Sequence, residues 1–501
     1  MKRAFVITGG AAIAAVLAVS MAVQPAVTLA AIGGVVALVL CCRGGHWPLT
    51  VPFLFMAIFG SDATTGAVIG GITVPAVYLV VTAICLISGA RLFVLRRLVP
   101  AAAPPMPKGR VVALLPLPVL AFAGLGMIVG NDVGSVRQDG FLILPMVAMA
   151  ATVLFSLRRR DLMAAATWLV VAGLLAASKA ILVGSAGDVT GRTTGLYSFV
   201  NPQFQVQRII VNGGDMILAV AIPLAVGMLR TARGLRALFF TVSLPIMVFG
   251  LTLSYTRTLL GGVAIGIVVA VGLAVGGQRR QGVLSLQLLS ALLGTAFLFT
   301  LTVGQSQFSV GAAAFRRLTG GSDVGSSQLS LRWADAVAAI GHGDIATLLG
   351  GRGLGAMFHS PITSSLPVTG YVHMGWAWLI LKGGLPLLLL TLFAALTPIR
   401  PLRQVARRGS ADAAAAVGLI AAIACFTSLN LVINTFATVE GTTFMGTMLG
   451  IMIVMSEGAL MRANTRLTPV QAFKPHSPRS ADLSPRATEL VRARPRSPSP
   501  P

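Results

Sequence analysis

Apolar runs about as long as a bilayer is thick recur along this chain from end to end, and they leave few folds open to it. A hydrocarbon core of about 30 Å takes roughly 20 apolar residues as one helix. Candidate runs lie at 4–23, 26–42, 48–60, 66–89, 111–130, 140–157, 162–183, 209–229, 236–253, 258–276, 283–303, 373–398, 413–433 and 442–461. They are continuous and not alternating, which excludes an outer-membrane barrel. Only 10% of the residues are charged, against about 25% in soluble domains, so a conventional soluble enzyme is excluded as well. The expectation is an all-α polytopic membrane protein with about 12–14 transmembrane helices.

The net charge of +24 would suit a nucleic-acid partner if it were gathered on one domain. It is not. With the N-terminus inside, 28 of the 38 basic residues fall in the inner connectors and the two ends, as the positive-inside rule requires. This orientation places both termini in the cytoplasm and the chain in the cytoplasmic (inner) membrane. It implies no nucleic-acid partner. Lys2 and Arg3 precede an apolar run that resembles a signal peptide, and an uncleaved first helix is expected. Cys41, Cys42, Cys85 and Cys425 lie in or beside apolar runs without metal or disulfide spacing, so they read as small core residues.

Four regions follow. Residues 1–303 form N-terminal transmembrane helices, and 304–372 form one long extracytoplasmic loop. Residues 373–461 form C-terminal transmembrane helices. Residues 462–501, rich in Pro, Ser and Arg, form a disordered basic cytoplasmic tail. The interior of the loop, 308–328, is expected to be a lid or an acceptor-binding surface.

The outward face collects a small polar set. Ser254-Tyr255-Thr256-Arg257 joins two spans with almost no loop. Arg208 precedes the span at 209–229, and Asp215 lies in its first turns. Arg192 lies in the preceding connector. Arg332, Arg352 and His373 lie in or at the end of the long loop. Charge at membrane depth is costly, so such groups pair or serve a ligand. Guanidinium forks suit a diphosphate, and a histidine can act as a base near neutral pH.

Each residue also has a plainer role open to it. Arg257 and Lys179 could snorkel to the interface. His373 could be an ordinary interfacial histidine. Arg332 could pair with Asp335 three residues on. Asp215 could be a counter-ion for Arg257 or Arg208. The glycines of Gly350-Gly351-Arg352-Gly353-Leu354-Gly355 read as a tight turn and not as a nucleotide loop.

At these residues the chain resembles the O-antigen ligase/polymerase family of bacterial membrane glycosyltransferases. The resemblance covers roughly residues 190–400. It rests on Ser254-Tyr255-Thr256-Arg257 at an outer helix end and on the long outer loop. It rests further on Arg332-Trp333 followed by Gly351-Arg352-Gly353-Leu354-Gly355, and on His373 followed by Gly383. The resemblance implies a GT-C-like helical fold. It implies a glycan donor on undecaprenyl (polyprenyl) diphosphate and a glycan or glycolipid acceptor, with no metal and no other cofactor. By position His373 would be the base, and Arg257 and Arg332 would face the diphosphate. Arg208, Arg192, Asp215 and Arg352 are the expected substrate-binding residues. Ligase and polymerase are not separated, and a polyprenyl-glycan flippase is the alternative from another class.

Lys382 adds a constraint on shape. One straight helix from Tyr371 would bury it about 14 Å below His373 at 1.5 Å per residue. The expectation is a short helix over 371–381, a break at Gly383-Gly384, and a span beginning there.

Overall fold

The computed structural model describes residues 25–60, 67–69, 72–74, 76–98, 116–158, 161–185, 196–201, 206–211, 214–229, 232–254, 256–274, 322–341, 345–362, 368–407 and 412–467. The expected spans 4–23 and 283–303, Arg192, residues 308–321 of the loop, and the tail beyond Leu467 lie outside them.

In chain order the elements are α1 (Pro25–Arg43), α2 (Trp47–Phe59), β1 (Ala67–Ile69), β2 (Ile72–Val74), α3 (Ala76–Leu98), α4 (Leu117–Val129), α5 (Val133–Ser156) and α6 (Leu162–Ser185). Then come β3 (Leu196–Asn201), β4 (Val206–Val211), α7 (Gly214–Leu229), α8 (Leu235–Leu253), α9 (Arg257–Ala274), α10 (Ser322–Ala339) and α11 (Ile345–Gly350). The series ends with β5 (Phe358–His359), β6 (Val368–Thr369), α12 (Gly375–Leu396), α13 (Ile399–Arg407), α14 (Asp412–Leu429) and α15 (Val439–Leu467). The described residues up to Glu457 form one compact unit, and a second begins at Gly458.

Among the described residues, six helices are long and apolar enough to cross a membrane, and five more are shorter and apolar. The chain is a helical polytopic membrane protein. Two of the sequence-based spans open on strands, and a third, at 140–157, lies in a helix that begins earlier, at Val133. The span at 66–89 opens with a hairpin, β1 pairing antiparallel with β2, and its helix begins at Ala76. The span at 209–229 opens on β4, paired with β3, and its helix begins at Gly214. Both corrected stretches are rich in Val and Ile, which serve a strand as well as a helix. A third hairpin, β5 with β6, lies in the long loop, which also holds α10 and α11.

The core is built around α7. All of its residues except Asp215 are buried, the pattern of a helix surrounded by protein on every side. It packs against α6, α8, α9 and α14. Lipid tails are as apolar as Leu, so helices associate in a membrane by close contact between small residues. Gly227 of α7 meets the backbone of Gly418 in α14, and Gly266 of α9 meets Pro223 of α7.

Helix α12 carries the break expected from Lys382. Gly384 stands at φ 64°, ψ −166°, so the helix is two pieces joined across a kink. Its start differs from the expectation. The helix begins at Gly375, after Met374 in an extended conformation, because the backbone just before it is held by other partners. Val372 O accepts from Asn434 Nδ2 at 2.9 Å, and His373 N donates to Asp335 Oδ2 at 3.1 Å.

A broken helix inside a membrane protein needs new partners for its freed backbone groups. The loop Gly351–Gly355 supplies them. Arg352 N donates to Leu381 O at 2.8 Å, a carbonyl that an unbroken helix would satisfy itself. On its other side the loop lies on α4 and α5. Leu354 N donates to Phe122 O at 3.0 Å. Asn131 Nδ2 donates to Arg352 O at 2.7 Å and to Leu354 O at 2.9 Å. Gly351 and Gly353 have positive φ. A side chain at Gly351 would strike the backbone of Gly383 and Gly384, and one at Gly353 would strike Gly126. The glycines are therefore required by close approach as well as by turning, the latter being what the sequence suggests.

Lys382 and Asp139 pin this plug. Lys382 is fully buried, and its Nζ lies 2.6 Å from Asp139 Oδ2. The same ammonium donates to Ala356 O at 2.7 Å, and Gly355 N donates to Asp139 Oδ2 at 2.6 Å. Each charge is thus paired and also bonded to the loop, the condition under which a buried ion pair is tolerable.

Two outcomes follow for stability in detergent, read as thermal midpoints. Gly126→Ala will lower the midpoint strongly, because its methyl would meet Leu354 O, whereas Gly124→Ala, with open space around it, will be neutral or stabilising by up to about 1 kcal/mol. Lys382→Met will cost about 3–5 kcal/mol by leaving Asp139 unpaired. Asp139→Leu combined with Lys382→Met will recover only part of that, because Gly355 N and Ala356 O still lose their partners. Equal loss in the double and single variants would contradict the pairing.

Candidate active site

The chain leaves the plug at Ala356, passes through β5 and reaches Ser360. Ser360 Oγ donates to Asp335 Oδ1 at 2.5 Å. Asp335 lies on α10 and has no exposed surface. Its other oxygen, Oδ2, takes both the backbone N of His373 at 3.1 Å and the ring Nδ1 at 2.9 Å. Three donors therefore converge on one buried carboxylate. Burial pushes its pKa up, but the bonds from His373 and Ser360 outweigh this and hold it below the ordinary aspartate value.

An ionised carboxylate only accepts hydrogen bonds, so Nδ1 of His373 carries the proton. In the neutral ring Nε2 then keeps a free lone pair. The His373 side chain is 28% exposed, which leaves it open to a ligand. Among the described residues Nε2 has no hydrogen-bond partner. Tyr371 stands edge-on to the imidazole, with centroids 5.2 Å apart, and limits its tilt. The geometry is that of an oriented base: ring, carboxylate and a hydroxyl fixing the carboxylate.

Arg332 lies one turn before Asp335 on α10. The two could have paired, but Asp335 is taken by His373 and Ser360. Arg332 Nη1 instead donates to Val432 O at 3.2 Å. Val432 belongs to the tight segment between α14 and α15. Asn430 Oδ1 accepts there from Thr435 N at 3.1 Å and Thr435 Oγ1 at 2.8 Å, and Asn434 Oδ1 accepts from Ala437 N at 3.1 Å. The same segment reaches Val372 through Asn434. One polar corner thus supports both Arg332 and the residue before His373. The half-buried Arg332 keeps the rest of its donor fork for other partners.

The other expected site residues lie on separate elements. Arg352 belongs to the plug, with its Nε donating to Thr347 Oγ1 at 3.1 Å. Arg208 lies on β4 opposite Phe199, six residues before α7 begins at Gly214. Asp215 is half-buried in the first turn of α7. Arg257 begins α9. The side chains of Arg208 and Arg257 lie outside the described set, as does Arg192. Among the described contacts, His373, Asp335, Ser360, Tyr371 and Arg332 come together, and none joins Arg352 or Asp215 to them.

Asp335, Ser360, Tyr371 and Asn434 are the residues that reading the sequence missed as members of this site. Asp335 stood in view as the partner of Arg332. Nothing in a 38-residue separation marks it as the partner of His373. No protein-family model matches the chain, and no curated protein matches it either.

The carboxylate gives a pH signature. Its folded pKa is depressed, so the stability it contributes is present above its unfolded value of about 3.9 and is lost as pH falls through the lower folded value. Asp335→Asn will lower the thermal midpoint at pH 7, and the gap to wild type will close on acidification below about pH 4. A gap that persists unchanged at low pH would show that the ionised form of Asp335 is not what holds the site.

Proposed function

We propose that this protein is a membrane glycosyltransferase resembling O-antigen ligases, acting in cell-surface polysaccharide biosynthesis. It passes a glycan from undecaprenyl (polyprenyl) diphosphate to an acceptor hydroxyl at the outer face of the cytoplasmic membrane. The observation that carries this reading is the oriented imidazole, with His373 Nδ1 on the buried Asp335 and Asp335 in turn on Ser360. The order of the Arg257, Arg332 and His373 motifs along the chain supports it.

The reaction needs three things. The acceptor hydroxyl gives its proton to Nε2 of His373 as its oxygen bonds to the anomeric carbon. The bond from that carbon to the diphosphate oxygen breaks, and lipid diphosphate leaves with the bonding pair. The negative charge that develops is proposed to be met by the guanidinium groups of Arg257 and Arg332, since fixed cations stabilise it without reorganisation. Arg208, Arg192, Asp215 and Arg352 are proposed to hold the donor and acceptor. The chemistry calls on no metal or nucleotide. Both termini would lie in the cytoplasm and residues 304–372 outside, within a GT-C-like bundle.

Wild-type membranes given a polyprenyl-diphosphate glycan and candidate acceptors will show transfer. His373→Ala will lower the rate by about 10²–10⁴-fold, the usual worth of a general base. Arg257→Ala will abolish transfer at normal expression, and Asp335→Asn will fall between. Full transfer by His373→Ala and Arg257→Ala would rule out the site. Lipid translocation driven by ATP or an ion gradient, without transfer, would place the chain among transporters. Transfer onto another lipid-linked repeat unit would make it a polymerase.

A further inference from the structure

A second surface lies where α12 runs into α13. Thr397 closes α12 in a helical conformation, with its N donating to Phe393 O at 2.9 Å. Leu402 N donates to Pro398 O at 3.0 Å. The helical path therefore continues into α13, interrupted only where Pro398 and Pro401 lack an N–H. Along it, residues 389, 393, 396, 400, 403 and 407 recur in alternating steps of four and three, the spacing of one helix face. All six are exposed: Leu389, Phe393 and Leu396 as large apolar side chains, and Arg400, Arg403 and Arg407 as cations. The opposite side, with Ala394, Ala395, Leu402, Val405 and Ala406, is buried. Helix α13 packs on α14, so the arginines stand on a fixed support.

This stripe changes from apolar to cationic at one level. Its profile matches an amphiphile whose acyl chain lies along Leu389, Phe393 and Leu396 and whose anionic head meets the arginines. An acidic peptide would use only the cationic half. Among the described residues none of the three arginines has an acidic partner. Guanidinium suits phosphate, which it binds through paired N–H groups, and an anionic leaflet attracts basic residues placed at the end of a span.

We propose that the α12–α13 stripe is a binding site for an anionic phospholipid, with its phosphate held by Arg400, Arg403 and Arg407. The site is independent of the chemistry at His373. The test is full-length protein reconstituted in vesicles of equal phosphatidylglycerol and phosphatidylcholine. The protein is then extracted in mild detergent, and its retained lipid is measured by native mass spectrometry. Wild type will retain phosphatidylglycerol preferentially. R400Q/R403Q/R407Q will lose that preference by about fivefold or more at unchanged yield and monodispersity. R96Q/R97Q, at the exposed end of α3, will keep it. Phosphatidylglycerol will raise the thermal midpoint of wild type but not of the triple variant, and inorganic phosphate alone will raise neither. An unchanged preference in R400Q/R403Q/R407Q would overturn the site. So would an equal loss in R96Q/R97Q, or an equal thermal shift from inorganic phosphate.

Discussion

Backbone polar groups cannot be left bare away from water, and that rule governs the centre of this structure. Gly384 breaks α12, and a broken helix must find donors for its free carbonyls. The Gly351–Gly355 loop fits into the break because glycines let two backbones approach. Lys382 and Asp139 then hold the loop in place from both sides. Everything in the candidate site hangs from this joint. The loop leads to Ser360, the first half of α12 follows His373, and Asp335 on α10 ties the two together.

The arrangement also explains why a lysine is tolerated deep in a packed helix. Lys382 has no exposed surface, and a bare ammonium there would be prohibitive. It is kept by one carboxylate and one carbonyl, both supplied by segments far away in sequence. The kink and the charge are therefore one device. Without the break, no loop could reach Leu381, and Lys382 would lose its carbonyl partner at Ala356.

At the other end of α12 the problem is reversed. Arg400, Arg403 and Arg407 face outward on a fixed helix, where solvent or lipid head groups must satisfy them. The buried cation stabilises the fold through its partners, while the exposed ones leave a surface for a ligand. The α12–α13 path thus uses one kind of charge in two ways, according to burial.

Read alone, the chain determined its class, because no soluble fold accommodates so many apolar runs. It determined most helix positions for the same reason. It also determined the break at Gly383-Gly384, because a lysine nine residues after the start of an apolar segment demands one. The spans at 66–89 and 209–229 were misplaced at their starts, since Val- and Ile-rich stretches serve strands equally well. The partners were decided only by tertiary structure. Asp139 was one of 14 acidic residues, and nothing in its spacing pointed to Lys382. Asp335 stood beside Arg332 in the helix, where a local pair was the simpler expectation, yet the fold brings His373 and Ser360 to it instead. A carboxylate bonds the donors that packing places nearest, and which donors those are is settled by how distant segments meet.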